Sequence, residues 1–294
     1  MVERYTLSRK LFIVFNYTIL ALLSVICLLP LVHVLAVSFS SSGAAAAGYV
    51  KLWPVEFTLD SYKYVLGKEQ FFLSIGMTLK RVSVGLIVNM VLTVLVAYPL
   101  SKEVQKFRGR TVYAWVFVFT MLFNGGLIPL YMTVRYTGIL DTVWALVLPS
   151  AVPIFNMILL LNFFRGLPKE VEEAAFMDGA GHWTSLWKIY VPLSTPALAT
   201  ITLFTMVFHW NSWFDGLIFM NSPSNYPLQS YLQTIVIQQN FSSASLESIA
   251  VLQKISDRTF KSAQIFLGSL PILLVYPFLQ KFFMKGIVLG SVKG

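Results

Sequence analysis

The sequence predicts an all-α polytopic membrane protein with six transmembrane helices and both termini in the cytoplasm. Three observations lead there: too few charges for a water-facing surface, six long apolar stretches, and an uneven spread of Lys and Arg between them. Only 12% of the 294 residues are charged and 56% are hydrophobic, where a soluble domain carries about 25% charged residues. A spanning helix takes about 20 mostly apolar residues to cross about 30 Å of hydrocarbon. A barrel strand would instead show about 10 alternating residues.

The spans are expected at about 11–37, 82–100, 111–132, 142–164, 196–220 and 262–280, in one transmembrane domain covering 1–294. The first follows Arg9 and Lys10 like a secretion signal, but it far exceeds the roughly 7–15 residues of a signal core. It is therefore read as a retained helix. Arg4, Arg9 and Lys10 precede it; Lys102, Lys106, Arg108 and Arg110 follow the second span. Arg165, Lys169 and Lys188 follow the fourth, and Lys281, Lys285 and Lys293 close the chain, whereas the loop after the third has only Arg135. Positive charge accumulates on the cytoplasmic side, so the long segments 38–81 and 221–261 face the periplasm. Pro30, Pro129, Pro149, Pro153, Pro271 and Pro277 fall inside spans, where neighbouring helices can satisfy the freed carbonyls. With a single cysteine, Cys27, no intrachain disulfide forms.

The net charge of +9 is scattered in short clusters, unlike the continuous basic face that binds nucleic acid. No phosphate-binding G-x-x-x-x-G-K-[ST] loop occurs, since Gly67-Lys68 runs on into Glu69. His33, His182 and His209 lie far apart and no carboxylate or thiol cluster joins them, so neither a metal site nor a catalytic constellation is expected. Ionisable groups inside the spans are sparse: His209 and Asp215 in the fifth, with His33 near the outer end of the first. That disfavours the alternative of a secondary carrier or channel for a small polar solute, which places such groups in mid-membrane. An embedded enzyme is disfavoured by the missing nucleophile and base.

The fifth span carries HWNSWFDG, and Trp210 falls about 20 Å above Pro196 at 1.5 Å per residue. Trp210, Asn211, Trp213, His209 and Asp215, with Asn124 and Asn156 from the third and fourth spans, are candidates to line a pathway for a polar solute. Rings pack on a sugar's apolar faces while amides and carboxylates meet its hydroxyls. The competing reading is an interfacial aromatic belt with interhelical hydrogen bonds. Lys80 and Arg81, at the outer end of the second span, are the nearest cations, so an acidic solute finds no obvious counter-charge within the spans.

Between the fourth and fifth spans, in an inner loop of about 165–195, residues 172–196 read EEAAFMDGAGHWTSLWKIYVPLSTP. Acidic residues suit the start of a short helix, Gly179 and Gly181 break it, a second helix resumes at His182, and Pro192 and Pro196 set the start of the fifth span. This segment resembles the Glu-Ala-Ala motif of ABC importer permeases. Glu173, Ala174, Ala175, Gly179, Ile189 and Pro192 match its spacing, as do Asp178 and Ala180, while Val191 replaces the usual Leu.

The resemblance extends over nearly the whole chain, to the carbohydrate-uptake, maltose-type group and its shorter, six-span permease. KGIVLGSVKG at the C-terminus resembles the tail of that shorter permease. KLWPVEFTLDSYKYVL and FNGGLIPLYMTVRYTGILDTVWALVLP resemble a subgroup that takes up oligosaccharides, with alginate as the specific case raised.

The resemblance implies a type I importer permease in the bacterial inner membrane, paired with a second, different permease and two ATPase subunits. Those subunits would bind ATP and Mg; this chain would hold no cofactor. Glu172, Glu173, Ala174, Ala175, Asp178, Gly179, Ala180, Ile189 and Pro192 would form the coupling element seated on an ATPase subunit. Gly286, Gly290, Lys293 and Gly294 would reach between the two ATPase subunits. Tyr226, Tyr231 and Phe241 on the outer side would meet a periplasmic solute-binding protein.

Overall fold

The structure, a computed structural model, describes residues 7–237 and 257–291. Every regular element among them is a helix. The chain divides into two compact units, Met1–Glu69 with Thr234–Leu270, and Gln70–Gln233 with Pro271–Gly294.

In the first unit, α1 (Leu7–Ser38) runs through Pro30 without ending. Its apolar side chains, among them Leu11, Phe15, Leu22, Ile26 and Val32, are exposed, and burial begins only at Ala36. Such a helix has no stable place in water; hydrocarbon is the solvent that suits it. Beyond it, α2 (Ser42–Ala46) and α3 (Asp60–Leu66) fold the following segment back on the end of α1. Ala36, Val37, Ala44, Ala45 and Val50 make a small core. Ser38 Oγ and Tyr62 Oη lie 2.7 Å apart, and His33 Nδ1 lies 2.6 Å from the Lys51 carbonyl. A carbonyl only accepts, so His33 carries its proton on Nδ1 and is a structural tie. The last helix, which also enters the second unit, spans Asp257–Ser291 and contains both Pro271 and Pro277. In the first unit its Arg258 donates to the Ala45 carbonyl at 3.4 Å.

The second unit starts with α4, Glu69–Ser101. The expected second span, 82–100, is therefore only the inner part of a longer helix, and part of the expected outer segment 38–81 is helical. The expected third span is broken: α5 (Arg110–Leu122) and α6 (Leu127–Tyr136) meet at 114°. Gly126 turns the chain there with φ +91°, a value that favours glycine, and Asn124 Oδ1 accepts its N–H at 2.9 Å. The fourth bends by 50° between the stretch Val143–Ser150, whose first part is α7 (Val143–Val147), and α8 (Ile154–Arg165). Pro153 stands at that break, where its missing N–H costs nothing. Among the described residues two helices, Leu7–Ser38 and Glu69–Ser101, are long and apolar enough to cross a membrane individually, and three bent pairs qualify together. The expected sixth span lies inside Asp257–Ser291.

The inner segment folds as α9 (Lys169–Met177), α10 (His182–Ser185), a wide π turn over Leu186–Tyr190 and the short α11 (Val191–Leu193). An 81° elbow at Ser194 then leads into α12 (Thr195–Asn211). The main core of this unit gathers Val94, Ala97, Tyr98 and Leu100 of α4, Leu160 and Phe164 of α8, Leu186 and Tyr190 of the inner segment, and Ile201 of α12. After α12 come α13 (Phe214–Phe219) and α14 (Leu228–Ile237). The expected outer loop 221–261 thus opens with a short 3-10 turn and a helix.

Small residues set the closest helix approaches, as is common between membrane helices. A Cβ on Gly85 of α4 would lie 2.3 Å from Nε2 of the fully buried His209 on α12. Gly85→Ala should therefore destabilise the chain by about 1–3 kcal/mol through overpacking. A lowered thermal midpoint in detergent, recovered by adding His209→Ala, is the expected result.

Candidate functional site

The inner-face segment is built on the end of α4. Its final carbonyls would be orphaned at a helix C-terminus; Arg165 donates to Leu100 O and Arg110 to Lys102 O, both at 3.1 Å. These guanidiniums also suit the negative end of the helix dipole. Just beyond α4, Lys102 turns inward and is only 6% exposed. Its Nζ lies 4.0 Å from the Tyr98 ring centre and 3.9 Å from that of Tyr190. The same ammonium is 3.0 Å from Glu172 Oε2, which also accepts from the Tyr190 hydroxyl at 2.6 Å. Lys106 reaches Glu172 Oε1 at 3.5 Å. Around this knot Tyr98, Phe164 and Tyr190 pack edge to face.

Burial pushes the Glu172 carboxyl up, but the hydrogen bonds from Tyr190 and Lys102, with the charges of Lys102 and Lys106, hold it below the usual carboxylate range. Burial pulls the Lys102 ammonium below the usual lysine range against the opposing pull of Glu172. The carboxylate is the better satisfied member of the pair. Tyr190 holds its proton more firmly than an ordinary tyrosine because of burial and of Glu172.

This geometry revises one expectation. Glu172, grouped with the residues that would face a partner, is 6% exposed and points into the chain's own interior. Glu173, Ala174, Met177, Asp178 and Gly179 are exposed on the outer side of the same segment, with Ala175 and Ala180 half-buried. Gly179 N donates to Phe176 O at 3.0 Å and Ala180 N to Ala175 O at 2.9 Å. These two bonds with Gly179 at φ +79° make a Schellman ending. A Cβ on Gly179 would meet nothing within 4 Å, so its backbone angle, not space, demands glycine. Ile189 is half-buried against the main core, and Pro192 is exposed on α11.

Beside the C-terminal end of α12 the unit holds a cleft of about 600 Å³, bordered by Leu146, Ser150, Phe208, Asn211, Trp213 and Asp215 among others. Of the expected pathway residues, Asn211, Trp213 and Asp215 come together here. His209 and Trp210 are buried, Asn156 donates to Thr205 Oγ1 at 3.2 Å, and Asn124 caps the bend between α5 and α6. Asp215 belongs to α13, beyond the end of α12.

The expectation of no cation within the spans is corrected as well. Arg81 lies inside α4, is fully buried, and grips both carboxylate oxygens of Asp215, with one contact at 3.1 Å. Its Nη1 also donates to Ser212 O at 3.3 Å. The cleft therefore presents a neutralised carboxylate beside an amide and an indole.

Tyr226 and Tyr231 are half-buried, and Tyr226 packs on the cluster of Val134, Leu146 and Phe219. Gly286 and Gly290 continue the last helix. Phe241, Lys293 and Gly294 lie outside the described residues. Sequence reasoning missed Tyr98, Lys102, Tyr190 and the pairing of Arg81. Tyr98 and Lys102, four residues apart, gave the one local signal; the partners of both cations are distant in sequence.

Comparison with known proteins places this architecture. Residues 71–288 match the family of binding-protein-dependent transport system inner membrane components, and the chain belongs to that family. The Bacillus subtilis (strain 168) polygalacturonan/rhamnogalacturonan transport system permease protein YtcP is 38% identical, covering 98% of this chain and all of that protein. Protein LplC of the same organism is 39% identical over 98% of this chain and 97% of its own length. Among solved structures, a bacterial ABC transporter involved in the import of the acidic polysaccharide alginate contains a chain 34% identical, with a TM-score of 0.86 over 96% of this chain and 100% of that one.

Two outcomes are expected from the ion pairs. Asp215→Asn leaves Arg81 buried and uncompensated, which should cost about 3–5 kcal/mol, whereas Arg81→Met with Asp215→Leu should recover much of that stability; thermal unfolding in detergent measures both. For Glu172, whose folded pKa is depressed, the stabilisation is present above its unfolded value of about 4.3 and is lost as pH falls through the lower folded one. The gap in melting temperature between wild type and Glu172→Gln should be constant from pH 6 to 7 and close below about pH 4.

Proposed function

We propose that this chain is the shorter of two different permease subunits in an ATP-driven importer of the bacterial inner membrane, with six spans and both termini inside. The two permeases enclose the pathway. Two ATPase subunits below bind ATP and Mg, and a solute-binding protein outside delivers an oligosaccharide or polysaccharide. This chain holds no cofactor and performs no catalysis; its part is to form half of the path and to receive motion at its inner face.

The observation that carries this reading is the two-sided character of α9. One side is fixed to α4 through Glu172. The other leaves Glu173, Ala174 and the 88% exposed Met177 facing outward, next to a left-handed Gly179. Such a helix suits a cleft on an ATPase subunit: Glu173 meets a basic group there, Ala174 and Ala175 allow close approach, and Asp178, Ala180, Ile189 and Pro192 shape the segment behind. Gly286, Gly290, Lys293 and Gly294 extend toward the ATPase pair, and Tyr226, Tyr231 and Phe241 belong to the side that receives the binding protein. ATP-driven closure below then moves the permeases as near-rigid bodies.

For the solute, the names of YtcP and of the alginate importer both describe acidic polysaccharides. A fragment of such a polymer, with alginate as the specific case, is the proposed cargo. Asn211, Trp213 and Asp215 supply contacts for hydroxyls and a sugar face, while Arg81 is already occupied by Asp215. Recognition of the solute's carboxylates therefore falls to the other permease or to the binding protein. A secondary carrier would draw on the same Arg81–Asp215 pair, but family membership favours the importer.

A mild-detergent pull-down of the tagged chain should bring two ATPase copies and a second permease. Recovery of the chain alone, together with full-speed uptake by vesicles containing only this protein, would sink the reading. Gly179→Ala forces an L-residue into the left-handed region at about 1–2 kcal/mol. It should weaken ATPase co-purification, and Gly179→Trp should abolish it. Labelled alginate and polygalacturonate oligosaccharides are the uptake probes, and Asn211→Ala or Trp213→Ala should lower their uptake.

A further inference from the structure

The knot beneath α4 has a feature that neither packing nor helix capping requires. The Leu100 carbonyl near the end of α4 and the Lys102 carbonyl just beyond it are already taken by Arg165 and Arg110, and Tyr98, Phe164 and Tyr190 already fill the core. A lysine ammonium is nonetheless taken out of water and set between two tyrosine rings, 3.0 Å from Glu172. Burying a charge costs much unless it is paired. Cation–π attraction to two rings and the ion pair together offset that cost.

The partner of this ammonium, Glu172, belongs to α9. Successive residues of an α-helix point about 100° apart. With Glu172 drawn inward, Glu173, Ala174 and Met177 are left on the outer side. The other charged contacts on α9 are wetter: Lys106 is 44% exposed, and Lys169, which pairs with Glu103, is 73% exposed. Exposed pairs of that kind hold geometry weakly.

We propose that Lys102 is the positioning residue of the coupling segment, fixing the rotational phase of α9 through Glu172 so that Glu173, Ala174 and Met177 face the ATPase subunit. This rests on the coupling reading above. The α4 end supplies the cation, α9 the carboxylate and the π turn the Tyr190 hydroxyl that orients it. Three separate pieces of chain thus meet at one carboxylate group.

The test uses the full importer with Cys27→Ser and spin labels on Val104→Cys and Glu170→Cys, both positions being exposed. Electron–electron distance measurement should give a narrow distribution for this parent. Lys102→Met should broaden it at least twofold and lower ATPase-subunit recovery at least fivefold, while Lys102→Arg, which keeps the cation, should restore at least half of both. Should Lys102→Met not accumulate, the double variant Lys102→Met/Glu172→Met leaves no buried charge behind and carries the same expectation. An unchanged distribution and unchanged recovery in these variants, with Gly179→Trp still losing the ATPase subunits, overturns the positioning role while leaving the coupling reading intact. If instead Gly179→Trp and Glu173→Lys both keep the ATPase subunits, the coupling reading fails, and the label distances alone decide what Lys102 holds.

Discussion

Inside an apolar slab a charge survives only with its opposite, and a backbone amide only with a partner in the chain. Those two constraints organise the second unit. Arg81 of α4 meets Asp215 of α13, and Lys102, just beyond α4, meets Glu172 of α9. Both cations lie on or just beyond one helix, α4, and both carboxylates come from segments more than sixty residues away in sequence. Helix α4 therefore has one charged attachment within its length and a second just beyond its C-terminal end, at about 1.5 Å of rise per residue between them.

These attachments explain how a mostly smooth apolar surface acquires a defined arrangement. Lipid tails are as apolar as leucine, so greasy contact alone does not choose one helix neighbour over another. Close approaches at Gly85 and Gly216 and the two ion pairs do make that choice. The cleft at Asn211, Trp213 and Asp215 sits beside one pair and the exposed side of α9 beside the other. Membership in the binding-protein-dependent family is what makes this layout compatible with the proposed importer, in which solute would be handled beside one pair and an energy-supplying partner received beside the other.

Much of this was legible in the chain itself. Run length and charge spacing marked the apolar helices, and the glycine and glutamate spacing of 172–196 marked the segment between the fourth and fifth spans, including the helix break at Gly179. Three features were not legible. The bend at Gly126 falls inside the stretch 111–132 that reads as one span, so run length does not register it. Arg81 reads as a span boundary because Asp215, which makes it tolerable in the interior, lies 134 positions away. Glu172 and Glu173 are chemically identical neighbours; only the phase of α9 against α4 sends one inward and leaves the other exposed.

The wide π turn at Leu186–Tyr190 has a consequence for how this region tolerates change. A π turn accommodates an extra residue relative to regular α-helix. Removing one residue from 186–190 would return the turn to ordinary α-helix and leave its flanks in phase, whereas adding another would turn Tyr190 about 100° around the axis and carry its hydroxyl off the Oε2 atom it now meets at 2.6 Å. Related chains that share the Glu172–Tyr190 contact should therefore tolerate a one-residue gap across this stretch and no insertion.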